Sequence, residues 1–473
     1  MARAKGAAVR VALGIALGIA FGVALVIVGC AVGPDYRRPA IDVPGAWRVE
    51  APEAQAIAGT AWWVQYGDPV LNDLIAAGLR ENADLRIAAA RIEESAGRLA
   101  IARGGLFPEA GFGASVERER ISRTGLPPLS ATAPNVGNLV HATVFASWEI
   151  DLWGKARRAT EAARAELLAS EEGRRGTVLS LVDAVATGYI NLRTLDRRLE
   201  IVRRTARTRE ASLRLFELRF KGGLVSDLER DQAQAEYERA LAAIPAVEKA
   251  IAFQENALNA LLGRNPGPIP RGLPIDNLAF PVVPAGLPSS LLARRPDLRQ
   301  AEQALVAANA RIGVARAQYF PSIALTGALG ATSPQLSSLF EGPARAWDLA
   351  IPLAAPIFSG GVLSGQVKIA EAQRDQMLLA YRQAIRNAFR DVEDALADRQ
   401  RTQEQLAAQE RQVETLRRTA QVARLRYDNG YTSHLEVLDA ERGLYDAELA
   451  ATETRGALHA ALANLYMAMG GGW

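Results

Sequence analysis

The chain has 473 residues, 49% of them hydrophobic, with 55 Lys and Arg against 52 Asp and Glu and one cysteine. That length exceeds one ordinary domain, the hydrophobic fraction is too low for a multi-helix membrane protein, and a single cysteine forbids an internal disulfide. The formal charge of +3 gives no support for nucleic-acid binding, because Arg3, Lys5 and Arg10 sit in a removable leader without acids; taking three from +3 leaves zero.

Residues 1–29 have the form of a secretory signal peptide: a basic start, then residues 11–28 all apolar or Gly. Ile27-Val28-Gly29-Cys30 resembles a bacterial lipobox, in which Cys30 is acylated and becomes the new N-terminus. The only cofactor expected is therefore covalent lipid, a diacylglycerol and an N-acyl chain on Cys30, each buried CH₂ contributing about 0.8 kcal/mol of membrane affinity. A signal anchor, which 18 apolar residues could just form, and a cysteine placed there by coincidence are the competing readings. An extended segment is expected over 30–70.

The rest is a duplication. Asn82-Ala-Asp-Leu-Arg-Ile-Ala resembles Arg295-Pro-Asp-Leu-Arg-Gln-Ala, and Phe220-Lys-Gly-Gly-Leu-Val-Ser-Asp-Leu-Glu resembles Tyr427-Asp-Asn-Gly-Tyr-Thr-Ser-His-Leu-Glu. Asp84 to Phe107 and Asp297 to Phe320 are both 23 residues; Gly154 to Gly223 is 69 against 70 for Gly360 to Gly430; Gly223 to Gly263 and Gly430 to Gly470 are both 40. Only Phe107 to Gly154 (47) and Phe320 to Gly360 (40) differ by more than one residue, so a surface loop belongs there. The first repeat is set at 71–263, a linker at 264–287 and the second repeat at 288–473.

Strands are expected at about 107–119, 138–152, 320–331 and 346–358. In the second of these Val140, Ala142, Val144, Ala146, Trp148, Ile150 and Leu152 alternate with His141, Thr143, Phe145, Ser147, Glu149 and Asp151. Each is about 10 residues, the length of a tilted membrane strand. Phe107, Trp148, Trp153, Phe320, Trp347 and Phe358 lie at or near strand ends, as aromatic girdles do. A soluble sheet with one wet face fits the same alternation.

Helices are expected at 71–103, 155–219, 226–262, 288–317, 362–427 and 433–469. Val178, Val182, Val185, Tyr189, Leu192, Leu195, Leu199 and Val202 form a heptad seam, echoed by Leu378, Tyr381, Ile385, Ala388 and Val392. Helices of roughly 65 residues reach about 100 Å, with the shorter ones running back alongside. Gly222-Gly223 and Asn429-Gly430 fit tight helix–helix turns, with Ser226 and Ser433 as N-caps. The remaining Asp, Glu and Arg read mostly as a solvated face. Four membrane strands cannot close a barrel, and an open edge in lipid costs several kcal/mol per unpaired group. Two chains give eight strands and a filled lumen; three give twelve and a pore.

The chain resembles the outer-membrane factor (TolC-like) family, in its OprM/NodT-type lipoprotein branch. The resemblance rests on Cys30-Ala-Val-Gly-Pro-Asp-Tyr-Arg-Arg-Pro39, Trp62-Trp63…Tyr66-Gly-Asp-Pro69, Arg295-Pro-Asp-Leu298, Ala308-Asn-Ala-Arg-Ile-Gly313…Phe320-Pro321, Tyr427…Gly430…Ser433 and Gly470-Gly-Gly-Trp473. It implies a mixed α and β membrane protein: a homotrimer whose 12-stranded β-barrel, four strands per chain, is continued by a long periplasmic α-helical barrel. It also implies an outer-membrane, lipid-anchored channel that passes substrates from an inner-membrane pump, of RND type in this branch, through a periplasmic adaptor (membrane fusion protein) to the exterior. By the same resemblance the periplasmic gate falls at Tyr427, Glu436 and Asp439, with Phe220, Glu229 and Gln232 as first-repeat equivalents. The family position that can be basic is Thr432 here, which argues against a tyrosine–arginine latch. Three copies of Glu436 and Asp439 would form a cation-attracting ring; acids favoured at a helix N-terminus are the plainer explanation.

Nothing points to catalysis or metal binding. His141, His434 and His459 have no metal-ligand spacing, and no phosphate loop or nucleophile motif occurs. Two alternatives stand beside efflux: the outer-membrane duct of a type I protein-secretion system, and a non-channel periplasmic coiled-coil scaffold lipoprotein.

Overall fold

A computed structural model describes residues 31–41, 44, 47–48, 61–124, 130, 132, 134–281 and 288–471. The leader 1–29, the acylation candidate Cys30 and Trp473 lie outside the described residues. The chain divides into two compact units, one from Met1–Pro39, Ile92–Ala169 and Ala301–Ala380, the other from Ala40–Arg91, Ser170–Gln300 and Tyr381–Trp473.

The two halves repeat one element order. The first contains α1 (Pro69–Glu81), α2 (Ala83–Gly104), β1 (Glu109–Arg120), β2 (Val136–Glu149), α3 (Lys155–Lys221) and α4 (Asp227–Leu261). The second contains α5 (Pro296–Ala317), β3 (Ser322–Ser333), β4 (Arg345–Ala350), β5 (Leu353–Ala354), α6 (Val362–Asp428) and α7 (His434–Ala468). Equivalent helices match in length: α2 and α5 have 22 residues, α3 and α6 have 67, α4 and α7 have 35. Gly154, Gly223 and Gly263, and their counterparts Gly360, Gly430 and Gly470, all take φ between 58 and 79°. The spacing that marks the repeat in the sequence is thus a spacing of left-handed residues, which L side chains resist.

Three expected elements are interrupted. The single helix over 71–103 is broken at Asn82, which is extended (ψ 131°). Its carbonyl oxygen accepts from Leu85 N (3.1 Å) and its amide donates to Leu261 O (2.8 Å), so it ends α1 and starts α2. The helix over 288–317 is a 3₁₀ turn at Pro288–Ser290, one α turn at Leu291–Arg294, and then α5. Arg295 is extended (ψ 120°) because the ring of Pro296 disfavours the helical region for the residue before it. The fourth strand splits into β4 and β5 around Pro352, which has no N–H to give to the ladder.

The heptad seam forms the core of the second unit. Val182, Val185, Tyr189, Leu192 and Val202 are buried, with Val392 and Ile385 from α6. Trp62 stacks on Tyr466 (4.8 Å between centroids, 12° between planes), and the Tyr66 hydroxyl donates to His459 O at 2.7 Å. Asp68 accepts from Tyr189 Oη, Val70 N and Leu273 N, so the Trp-Trp…Tyr-Gly-Asp-Pro run is a packing and capping device. Side chains buried this fully contribute about 1.5–3 kcal/mol each. The helices of the first unit instead meet through small residues, Ala162 and Ala165 of α3 against Ala307 and Ala310 of α5.

The charged positions are less solvated than their composition suggests. Arg209 pairs with Glu441 (2.6 Å), Arg198 with Glu453 (2.6 Å), and Arg204 with Glu448, forming a ladder from α3 to α7. Glu236 of α4 is buried between Arg239 and Arg442. Among the described residues no helix is long and apolar enough to cross a membrane.

Candidate functional site

The sheet is antiparallel in the order β1-β2-β3-β4, with β5 beside β3. Its register aligns Phe112, Val144, Leu329 and Trp347 in one row across all four strands. These side chains are 82%, 60%, 66% and 77% exposed. Val116, Leu349, Ile351 and Leu353 extend the bare apolar area. A patch of this kind is unstable against water and calls for an apolar cover. The other face carries His141, whose Nδ1 lies 3.0 Å from Thr332 Oγ1, and Thr143. β1 bonds only β2 and β4 bonds only β3 among the described residues, so both outer edges keep a row of unpaired backbone groups.

Aromatic residues gather at one end of the strands. Trp153 stacks on Phe320 (4.6 Å), and the indole N–H groups of Trp148 and Trp153 donate to Leu106 O (3.1 Å) and Pro321 O (2.7 Å). Phe107 precedes β1 and Phe358 follows β5, both exposed. Trp347 departs from the expected girdle: its register partner Leu329 lies well inside β3, because the strands are staggered.

The segment after Cys30 is stitched to the first unit. Val32 N donates to Trp153 O (2.9 Å), Asn309 Nδ2 donates to Pro34 O (2.8 Å), Asp35 pairs with Arg158 (2.6 Å), and Glu302 accepts from Tyr36 and Arg38. Gly33 (φ 110°) approaches Gly313 so closely that a Cβ on it would lie 2.5 Å from the Gly313 Cα. Asp35, Tyr36 and Arg38 of the Gly-Pro-Asp-Tyr-Arg-Arg run are thus bonded to helices of the unit, and Arg37 adds its charge beside Asp35.

The α3–α4 and α6–α7 turns share a backbone. Leu224 N bonds Arg219 O and Tyr431 N bonds Arg426 O, both at 2.8 Å, with Gly223 and Gly430 left-handed in between. Asn429 also donates from its side chain to Leu425 O (2.7 Å). Gly222 is not left-handed; its N–H bonds Leu218 O at 3.1 Å, and a Cβ on it would meet only ordinary contacts. The caps then diverge. Ser226 and Glu229 form a complete capping box, whereas Ser433 occupies the N-cap position without a side-chain bond. Glu436 and Asp439, one turn apart on α7, are exposed.

Tyr427 is held from the other hairpin. Arg219 Nη1 donates to Tyr427 Oη at 2.8 Å, with the guanidinium 5.5 Å above the ring. A tyrosine–arginine hydrogen bond is therefore present, its arginine supplied by α3, 208 residues away in sequence, and not by position 432. Phe216 of α3 is buried against His434 (ring centroids 4.2 Å apart) and stacks more loosely on Tyr427 (6.4 Å). Burial of His434 pushes its pKa down to about 4, with the charges of Arg424, Arg209 and Arg219 adding to the shift. The family resemblance singles out Tyr427 and not Arg219, Phe216 or His434. An aromatic and a cation one turn apart at the end of a long helix were the available signal.

The profile of the outer membrane efflux protein family matches residues 74–264 and again 287–471, one match per repeat. The chain is 35% identical over 455 residues to cation efflux system protein CusC of Escherichia coli O6:H1, covering 95% of this chain and 97% of that one. It is 35% identical over 458 residues to the toluene efflux pump outer membrane protein TtgC of Pseudomonas putida (95% and 94% covered). The structure resembles that of the open state of the Neisseria gonorrhoeae MtrE outer membrane channel, with TM-score 0.83 and 33% identity over 94% of this chain and 98% of that chain.

Proposed function

Because the chain belongs to the outer membrane efflux protein family, we propose that three copies of it close a 12-stranded barrel in the outer membrane and form a duct, with α3–α4 and α6–α7 reaching into the periplasm. The observation that carries this reading is the sheet: four strands, a bare apolar row and two unpaired edges. A lone sheet of this kind cannot stay in lipid or in water, whereas β1 of one copy against β4 of the next removes both defects. Apolar residues then face lipid, and His141, Thr143 and Thr332 face the lumen.

Acylation at Cys30 would fix the N-terminus to the membrane, and the contacts of residues 32–38 would transmit that anchor to the first unit. At the tips, Tyr427, Glu436 and Asp439 would narrow the periplasmic mouth, with Arg219 holding Tyr427. The partners of this reading are a periplasmic adaptor and an inner-membrane pump of the proton-driven kind, and no catalytic step is assigned to the chain. The family relatives named for cation and toluene efflux favour small-solute export over protein secretion.

The test is a disulfide cross-link between a cysteine placed in β1 and one placed in β4, in a Cys30-retaining full-length chain. Trimers that survive mild detergent, and cross-linked ladders ending at three, are expected. Monomers released without detergent after removal of the lipid would overturn the duct. In planar bilayers Glu436→Ala with Asp439→Ala should raise ionic leak and lower cation selectivity, and unchanged values would remove the acidic ring from the gate.

A further inference from the structure

We propose that His434 is a proton-operated switch that couples acidity outside the cell membrane to the grip between the two hairpin tips of each chain. This rests on reading the tips as the periplasmic gate, and on four features of the ring's surroundings. First, the ring joins the hairpins: it belongs to α7, packs on Phe216 of α3 at 4.2 Å, and touches Tyr427 of α6 at 5.4 Å. Second, it is buried and its Nδ1 has no hydrogen-bond partner. Third, it is the first residue of α7, after an N-cap serine that makes no capping bond. The positive end of the helix dipole lies there, and a cation is disfavoured. Fourth, the charges facing it are mostly of one sign. Arg209 and Arg219 approach from α3 and Arg424 from α6, against Glu229 alone from α4. Arg209 is itself engaged by Glu441 on His434's own helix.

A proton on this ring has no acceptor for Nδ1–H, only Glu229 as counter-charge against three arginines, and a helix N-terminus behind it. The tip can accommodate the imidazolium only by letting the ring out toward water. Moving the ring off Phe216 withdraws the support beneath Tyr427, and the Arg219–Tyr427 bond opens. The direction follows from the ring's depressed pKa of about 4 against about 6.5 for a solvated histidine. The packed tip prefers the neutral ring. Its advantage is complete above about pH 6.5, declines as the pH falls from there, and is exhausted by about pH 4. A separation of this size corresponds to a change of about two orders of magnitude in the closed-to-open ratio, at tenfold per pKa unit. The periplasm follows the acidity of the medium, so an acid environment would by itself loosen a resting duct.

The experiment uses the full-length lipidated chain, purified and reconstituted in planar bilayers, with conductance recorded from pH 7.5 to 4.5. Conductance is expected to rise as the pH drops below 6.5, and His434→Phe and His434→Gln should both flatten the rise. A wild-type profile that is flat, or one that His434→Phe leaves unchanged, overturns the switch and leaves Glu436 and Asp439 as the titrating groups. Arg219→Ala at pH 7.5 separates the two levels. If it raises conductance while His434→Phe keeps the wild-type profile, only the switch fails. If it changes nothing, the tip is not the gate. An independent check needs no altered gate: in ¹³Cε1-histidine-labelled protein, the resonance lost in His434→Gln should stay neutral down to about pH 5, and a midpoint near 6.5 would refute the buried, proton-excluding ring.

Discussion

At the first tip Glu229 accepts from Ser226 N at 2.9 Å and completes a capping box. At the second, the same Ser-x-x-Glu spacing yields no such box, and Glu436 remains exposed. The turn backbones are alike down to the left-handed glycine and the 2.8 Å closing bond. Duplication supplied one scaffold twice, and the side chains divided the work: the α3–α4 tip is self-contained, while the α6–α7 tip leaves its acids unengaged by the cap and depends on α3 for Arg219 and Phe216. Two copies of a motif therefore need not have the same chemistry, because capping, latching and exposure are decided by one or two atoms at each end.

Substitutions at the two tips test this division of work. The largest effect is expected for Glu236→Ala, which leaves Arg442 of the second hairpin without its buried partner. We expect a loss of about 3 kcal/mol in tip stability, at the low end for a broken buried pair because Arg442 is itself 42% exposed, read as faster hydrogen exchange in both α4 and α7. Exchange changed in α4 alone would show that the pair does not tie the hairpins. Burial raises the Glu236 pKa, but the hydrogen bond and charge of Arg442, with Arg239 and Arg209, hold it below the usual value. Its contribution is thus present above about pH 4.5 and lost only in stronger acid, from the acid end of the window assigned to His434 downward. Next is Arg219→Ala or Tyr427→Phe. Losing one charge-assisted hydrogen bond costs about 1.5 kcal/mol, so the open fraction of a resting channel should rise about tenfold, while the first-tip substitution Phe220→Ala should leave it near wild type. Equal leak from both tips would abolish the asymmetry. The smallest effect separates the caps: Ser226→Ala should cost about 1 kcal/mol at the start of α4, and Ser433→Ala close to nothing at the start of α7, as measured by exchange of the first-turn amides.

Much of the architecture was readable because it is written in backbone constraints. The repeat lengths survive in the sequence as distances between glycines, and those glycines are the positions whose φ only glycine takes readily. Helices α3 and α6 were plain from their seams for the same reason: periodic burial leaves a periodic record. The breaks at Arg295 and Pro352 carried a visible signal in the prolines, overridden by the pull of a continuous hydrophobic pattern. Asn82 gave less warning, since an asparagine is a cap only when something, here Leu261 O, arrives to meet it. At the tip, Tyr427 was legible and its partner was not. The Arg219–Tyr427 bond joins residues that only folding brings together, and no local spacing encodes it. His434 was one histidine among three until Phe216 and three arginines were found around it.

The equality of 67 with 67 and of 35 with 35 has a practical corollary. Each hairpin behaves as a ruler, and Arg219 can reach Tyr427 only if both rulers end at the same mark. Removing seven residues from α3 and the facing seven from α4 would retract one tip by about 10 Å, beyond the span of any arginine, although every seam residue stayed in phase. Making the same cut in α6 and α7 should restore the meeting point. A chain of this design can be shortened or lengthened, but only in whole heptads and only in both halves at once.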